Sequence, residues 1–218
     1  MSGAVRVRAA GYRARMQTSI AYETASALPR RLGPRMGGIE VVCGPMFCGK
    51  SEELIRRLRR STIARHAVVC VKPSIDDRHG VDDVISHAGS RITARAISDP
   101  RELLELRGEA DVVGIDEVQF FDKRIVGICE DLAASGLSVI CAGLDRDYRG
   151  LPFGPMADLL CIADRVTKLQ AVCVQCGDDA TLSQRLVDGA PAPFDDATVV
   201  VGGAERYEAR CRGCFERA

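Results

Sequence analysis

Between residues 37 and 164, short strand-like segments alternate with stretches whose apolar residues recur every three or four positions. Residues 39–43, 67–71, 91–97, 110–115 and 138–143 predict strands, and the short apolar runs among them are those of strands covered on both faces. Leu54, Ile55, Leu58 and Ile63 predict one face of a helix that starts at about Ser51. Glu52 and Glu53 stand four residues ahead of Arg56 and Arg57, a spacing that supports that helix. Asp99 and Pro100 open a second helix through about Arg107, with proline at its first position. A third follows Glu117, runs to about Ala134 and is closed by Gly136. A fourth covers residues 156–163. Segments 72–90 and 144–155 are polar and rich in turn residues. Strands alternating with helices specify an α/β domain built on a parallel sheet.

The pattern changes near residues 164–168, after which strand-like pieces lie between two cysteine pairs. We divide the chain into residues 1–36, an α/β domain over 37–164 and a small domain over 165–218. Residues 1–36 have no periodicity and are expected to be a disordered leader. An arginine-rich, acid-poor start also has the composition of a transit peptide, and a third reading starts translation at Met36. Seven arginines against Glu23 give this leader a charge of +6, so the rest of a chain of zero net charge carries −6. That body offers no nucleic-acid surface; an anionic ligand would be met locally. No apolar run reaches membrane-spanning length. With 218 residues, 46% hydrophobic and 28% charged, the chain has the composition of an ordinary globular protein.

The segment 43–51, Cys-Gly-Pro-Met-Phe-Cys-Gly-Lys-Ser, sits between the first strand and the first helix. Gly44, four intervening residues and Gly49-Lys50-Ser51 match the phosphate-loop pattern. Glycines let successive backbone N–H groups turn inward on phosphate oxygens, and the helix start adds its positive end. Lys50 supplies a cation for the outer phosphates and Ser51 a hydroxyl for magnesium. Downstream, the strand 112–115 ends in Asp116-Glu117. The carboxyl ends of parallel strands line one edge of a sheet, so Asp116 can reach a magnesium ion held by Ser51. Glu117 points elsewhere and can take a proton from an attacking hydroxyl or water.

Ten cysteines without a secretory apolar segment argue against a disulfide framework. Cys173-x-x-Cys176 and Cys211-x-x-Cys214, about 35 residues apart, suit one tetrahedral zinc on two knuckles. Four sulfur ligands close the coordination sphere, so the metal would be structural. Two redox dithiols are the alternative. Cys43, Cys70, Cys141 and Cys161 read as small core residues. Cys48, near a helix start, reads as a thiol of lowered pKa or simply a small residue. His66, His79 and His87 have no ligand spacing.

These motifs together resemble the zinc-containing thymidine kinase family. The resemblance rests on residues 44–51, Asp116-Glu117-Val118-Gln119-Phe120-Phe121, Gly143-Leu144-Asp145-Arg146-Asp147-Tyr148, and Gly202-Gly203-Ala204-Glu205-Arg206-Tyr207 before the last cysteine pair, and spans residues 38–215. It implies an α/β P-loop domain under a small zinc-ribbon lid, with transfer of the ATP γ-phosphate to the 5′-hydroxyl of thymidine in cytoplasmic nucleoside salvage. It makes Glu117 the general base. It assigns Gly44, Pro45, Met46, Phe47, Cys48, Gly49, Lys50, Ser51, Asp77, Arg78, Asp116, Glu117, Val118 and Gln119 to ATP and magnesium. Met46, Tyr148, Ser183, Thr198, Val199, Val200, Val201, Gly202 and Tyr207 fall at positions that meet the nucleoside. A homotetramer and inhibition by thymidine triphosphate are implied too. Relatives usually carry Ser or Ala where this chain has Cys48, and the leader has no counterpart. Two rival classes make different demands: a DNA-dependent ATPase would need a basic lid, and a zinc adaptor would not need Lys50, Ser51, Asp116 and Glu117 intact.

Overall fold

The computed structural model describes residues 37–75, 83–85, 89–199 and 206–217. The chain separates into Met1–Gly33 and Pro34–Ala218. The expected leader, residues 1–36, lies outside the described residues. The elements of the second unit are, in order, β1 (Gly38–Cys43), α1 (Lys50–Ile63), β2 (Val68–Pro73), β3 (Asp83–Ile85), β4 (Arg91–Thr93), β5 (Arg95–Ile97), β6 (Val112–Ile115), α2 (Arg124–Ala134), β7 (Ser138–Gly143), α3 (Met156–Ile162) and β8 (Arg165–Lys168). Then follow β9 (Ala171–Val172), β10 (Asp179–Ala180), β11 (Leu182–Val187), β12 (Ala190–Pro191) and β13 (Tyr207–Arg210).

Six strands form one sheet in the order β5-β2-β6-β7-β1-β8, and every pairing in it is parallel. Alternate residues of each strand point to opposite faces. Val41, Val113, Ile115, Val139 and Cys141 pack under α2, α3 and a 3-10 turn, Pro100–Leu106. Val42, Cys70, Val112, Ile140 and Ala142 pack on Leu54, Ile55 and Leu58 of α1. Both sets are apolar, which is why the strands show no in–out alternation. Each of the three α1 side chains is fully buried, a burial that stabilises by about 1.5–3 kcal/mol apiece. Arg57 ties the same helix to the sheet: its guanidinium meets Glu40 of β1 at 2.6 Å and Thr167 of β8 at 2.8 Å.

The structure revises several expected elements. Ile63 is 81% exposed rather than on the core face, because 3.6 residues per turn carries it about 130° round from the mean direction of Leu54, Ile55 and Leu58. The strand expected over 91–97 breaks at Ala94; β4 pairs antiparallel with β3, while β5 joins the central sheet. The helix after Asp99 is a 3-10 turn, entered through a capping box of Asp99 and Glu102. Cys161 is exposed, whereas Cys43, Cys70 and Cys141 are buried as expected. The sheet also runs past residue 164, for β8 pairs with β1. After β8 the chain forms two small antiparallel sheets, β9 with β10 and β11 between β12 and β13.

Candidate active site

Three segments leave the carboxyl edge of the sheet close together. β1 runs into the loop 44–49, β6 into Asp116-Glu117, and β7, which lies between them, into residues 144–155. Gly44 begins the loop at φ 142°, and a Cβ there would lie 2.4 Å from the Leu169 carbonyl oxygen, so only glycine fits. Gly49 precedes α1, whose first turn holds Lys50 and Ser51. The Lys50 ammonium donates to the Pro45 carbonyl at 2.7 Å, holding the cation over the loop.

Ser51 Oγ donates to Asp116 Oδ2 at 3.0 Å, joining the first and second motifs. Asp116 is buried. Burial, then the neighbouring Glu117 carboxylate, pushes its carboxyl up to about 7, while the Ser51 hydroxyl and Lys50 pull the other way. A buried acid beside a hydroxyl and a second carboxylate is a donor set that a small oxygen-seeking cation would neutralise. Glu117 has left-handed backbone, φ 49°, a conformation that costs about 1 kcal/mol in a residue with a side chain. Its carboxylate accepts from the Gln119 amide nitrogen at 2.5 Å. Val118, expected beside the nucleotide, has its side chain in the apolar core.

Several of the residues expected to meet the nucleoside converge from distant segments. Met46, Tyr148, Ala192 and Tyr207 form one buried cluster, with Phe47 and Leu144 against it. Ser183 of β11 accepts from the Met46 backbone N–H at 2.9 Å, fastening the small domain to the phosphate loop. Tyr148 Oη lies 2.9 Å from the carbonyls of Pro193, Phe194 and Asp196, among which its single proton is shared. Burial raises the Tyr207 hydroxyl, with Arg185 acting against it. Thr198 is half-buried and Val199 exposed. Asp77, Arg78, Val200, Val201 and Gly202 lie outside the described residues.

Three charged groups here were given no role from the sequence, although Asp145 and Asp147 stand in the 143–148 motif. Arg185 is fully buried. Its guanidinium lies 3.8 Å from the Tyr148 ring centre and 2.7 Å from Asp196 Oδ2. Asp147 shapes the 144–155 loop by accepting from the N–H groups of Arg149 and Leu151. Asp145, buried under the same loop, pairs with Lys168 at 2.6 Å. Arg185 stands in a strand whose first four residues, Leu182 to Arg185, are all buried, so alternation could not single it out.

The four cysteines of the two pairs come together, with all their sulfurs within 4.8 Å of one another. Tetrahedral zinc with bonds of about 2.3 Å needs sulfurs about 3.8 Å apart, and Cys176 and Cys211 are at 3.6 Å. Burial opposes ionisation of Cys173, yet backbone N–H groups of Cys211, Cys176 and Gln175 pull it down to about 6. Its thiol neighbours Cys176 and Cys211 push Cys214 up to about 12. Four crowded thiols that resist joint ionisation suit a divalent cation that takes all four as thiolates. The inner side of this centre packs against Phe47 and Cys48 of the phosphate loop. That burial raises the Cys48 thiol, with Lys50 acting against it, so the lowered pKa expected for Cys48 does not hold.

A phosphate loop joined to a strand-end acid pair, an aromatic cluster fed by the small domain, and a four-cysteine centre thus occupy one edge of a parallel sheet. The family model for thymidine kinase matches residues 37–215, so the chain belongs to the thymidine kinase family, in its zinc-type branch, and phosphorylates thymidine with ATP.

Proposed function

We propose that the terminal phosphate of ATP lies on residues 44–51 and that Glu117 is the general base that accepts the proton of the thymidine 5′-hydroxyl. The observation that carries this reading is the junction of Ser51, Asp116 and Glu117 at the carboxyl edge of the sheet. Lys50 neutralises charge on the outer phosphates. Magnesium, held by Ser51 and Asp116, supplies charge neutralisation on the phosphate oxygens when bound. Glu117 is oriented towards the sugar and takes its proton late in the transfer. The family pattern assigns Asp77 and Arg78 to the phosphates as well.

Thymine lies against Tyr148 on the side away from Arg185, with Met46 and Tyr207 as the other walls, Ser183 at its edge and backbone of residues 198–202 reading its donor and acceptor pattern. The apolar walls exclude water that would compete as acceptor. One zinc on Cys173, Cys176, Cys211 and Cys214 is structural and keeps the lid, which follows β8, seated on the α/β domain. The family supports a homotetramer, inhibition by thymidine triphosphate and a salvage role. The six cysteines outside this centre form no disulfide, which suits a reducing cytoplasm. No described helix is long and apolar enough to cross a membrane.

Glu117→Gln tests the base directly. ATP affinity should persist while kcat falls by roughly 10²–10⁴; a rate near that of the unaltered protein would remove Glu117 from this role.

A further inference from the structure

Gln119 stands two residues beyond Glu117 and is almost fully buried, at 2% exposure. Its side-chain nitrogen donates to Glu117 Oε2 at 2.5 Å. Its side-chain oxygen accepts from the Leu144 backbone N–H at 3.0 Å. The orientation of this amide follows from chemistry. Leu144 can only donate and the carboxylate can only accept, so a flipped amide would oppose donor to donor and acceptor to acceptor.

The surroundings leave the residue little freedom. A Cβ on Gly143 would lie 2.5 Å from the Gln119 side-chain oxygen. A Cβ on Gly154 would lie 2.3 Å from its carbonyl oxygen. Phe120 packs edge-on against Phe153, ring centres 5.6 Å apart, binding the same turn to the same loop. That loop carries Tyr148.

We propose that Gln119 is a positioning residue: its amide holds the Glu117 carboxylate in its reactive orientation and links it to the Leu144–Tyr148 segment. The proposal rests on Glu117 being the base. A carboxylate on a flexible stem rotates freely about its last bond, and one fixed donor removes that freedom. Misplacing a reacting group by about 1 Å can cost up to roughly 10² in rate. One N–H of the amide goes to Glu117 and its oxygen to Leu144, which ties Gln119 to the base and the 144–155 loop rather than to Lys50 and Ser51.

A double-mutant cycle distinguishes this role from a nucleotide contact and from simple packing. Gln119→Met keeps the length of the side chain and removes both hydrogen bonds. It should lower kcat by roughly 10–100-fold and leave KM for ATP within about twofold. In a Glu117→Gln background the same change should alter kcat by less than about twofold, since no base remains to be positioned. Gln119→Glu, which retains the acceptor for Leu144 and turns a carboxylate towards Glu117, should repeat the result and serves if the methionine variant does not fold. A raised KM for ATP at unchanged kcat, or an equal loss in both backgrounds, would overturn the proposal. If Glu117→Gln alone turns over normally, the base assignment fails and the proposal with it. If Glu117→Gln is slow and the Gln119 loss adds to it in full, only the positioning role falls.

Discussion

At the phosphate end of the site, the chemical groups come from two short stretches, residues 44–51 and 116–119, each fixed by the end of a buried parallel strand. At the proposed nucleoside end they come from Met46, Tyr148, Ser183, Arg185 and Tyr207, which meet only because the small domain folds back on the phosphate loop. The first end is held by the sheet and its two apolar faces. The second is held by single polar contacts, Ser183 to Met46 and Tyr148 to three carbonyls, and by a four-cysteine centre packed on Phe47 and Cys48. A nucleotide loop thus needs only local chain, whereas a pocket selective for a nucleoside is assembled at long range. Damage to the small domain should therefore spare ATP and cost thymidine.

The largest effect should come from the metal centre. Cys176→Ser, or chelation of the zinc, removes a centre whose binding free energy is of the order of 10 kcal/mol in small zinc domains. Thymidine phosphorylation should fall below about 1% while ATP still protects the protein from thermal unfolding. Elemental analysis should find one zinc per chain before treatment. Equal loss of ATP and thymidine binding would mean that the two ends are not built separately.

Arg185→Met should come next. It removes a buried cation from the face of Tyr148 and from Asp196, an interaction worth about 2 kcal/mol when desolvated. KM for thymidine should rise by roughly 30-fold at little change in KM for ATP. An unchanged KM for thymidine would show that Arg185 only fills space.

Much of the phosphate end was legible in the sequence because its residues are neighbours in the chain. Gly44, Lys50 and Ser51 carry their spacing with them, and Asp116-Glu117 announces itself by ending an apolar strand. The cysteine pairs were legible for the same reason. Arg185 was not, since its role depends on a contact with Tyr148, 37 positions away in the chain; Gln119 was placed at the site through its motif, but its tie to Leu144, 25 positions away, was not visible. No spacing rule encodes such contacts. The split of residues 91–97 between two sheets was hidden because strand propensity says nothing about which partner a strand finds. β8 was hidden because its exposed residues Arg165 and Val166 look like linker. The raised pKa of Cys48 was also beyond sequence reach: the helix start was visible, but the burial that outweighs it comes from packing by the small domain.

The smallest effect belongs to Ser183→Ala. It leaves the Met46 N–H buried without its acceptor, which costs about 1–3 kcal/mol and should lower Tm by roughly 2–10 °C in a chain of this size. KM for thymidine should rise a few-fold and ATP affinity should stay. A shift in ATP affinity larger than that in thymidine affinity would reverse the assignment of Ser183 to the nucleoside end.

The most direct test of the whole account is to follow labelled γ-phosphate from ATP in the presence of magnesium and each of thymidine, deoxyuridine, deoxycytidine, deoxyadenosine and deoxyguanosine. The label should pass to the 5′ position of thymidine, with deoxycytidine and the purine nucleosides disfavoured by roughly 10² or more because their ring edges leave buried polar groups unpaired. Label released only as inorganic phosphate, or hydrolysis that rises on adding DNA while thymidine stays unphosphorylated, would contradict it.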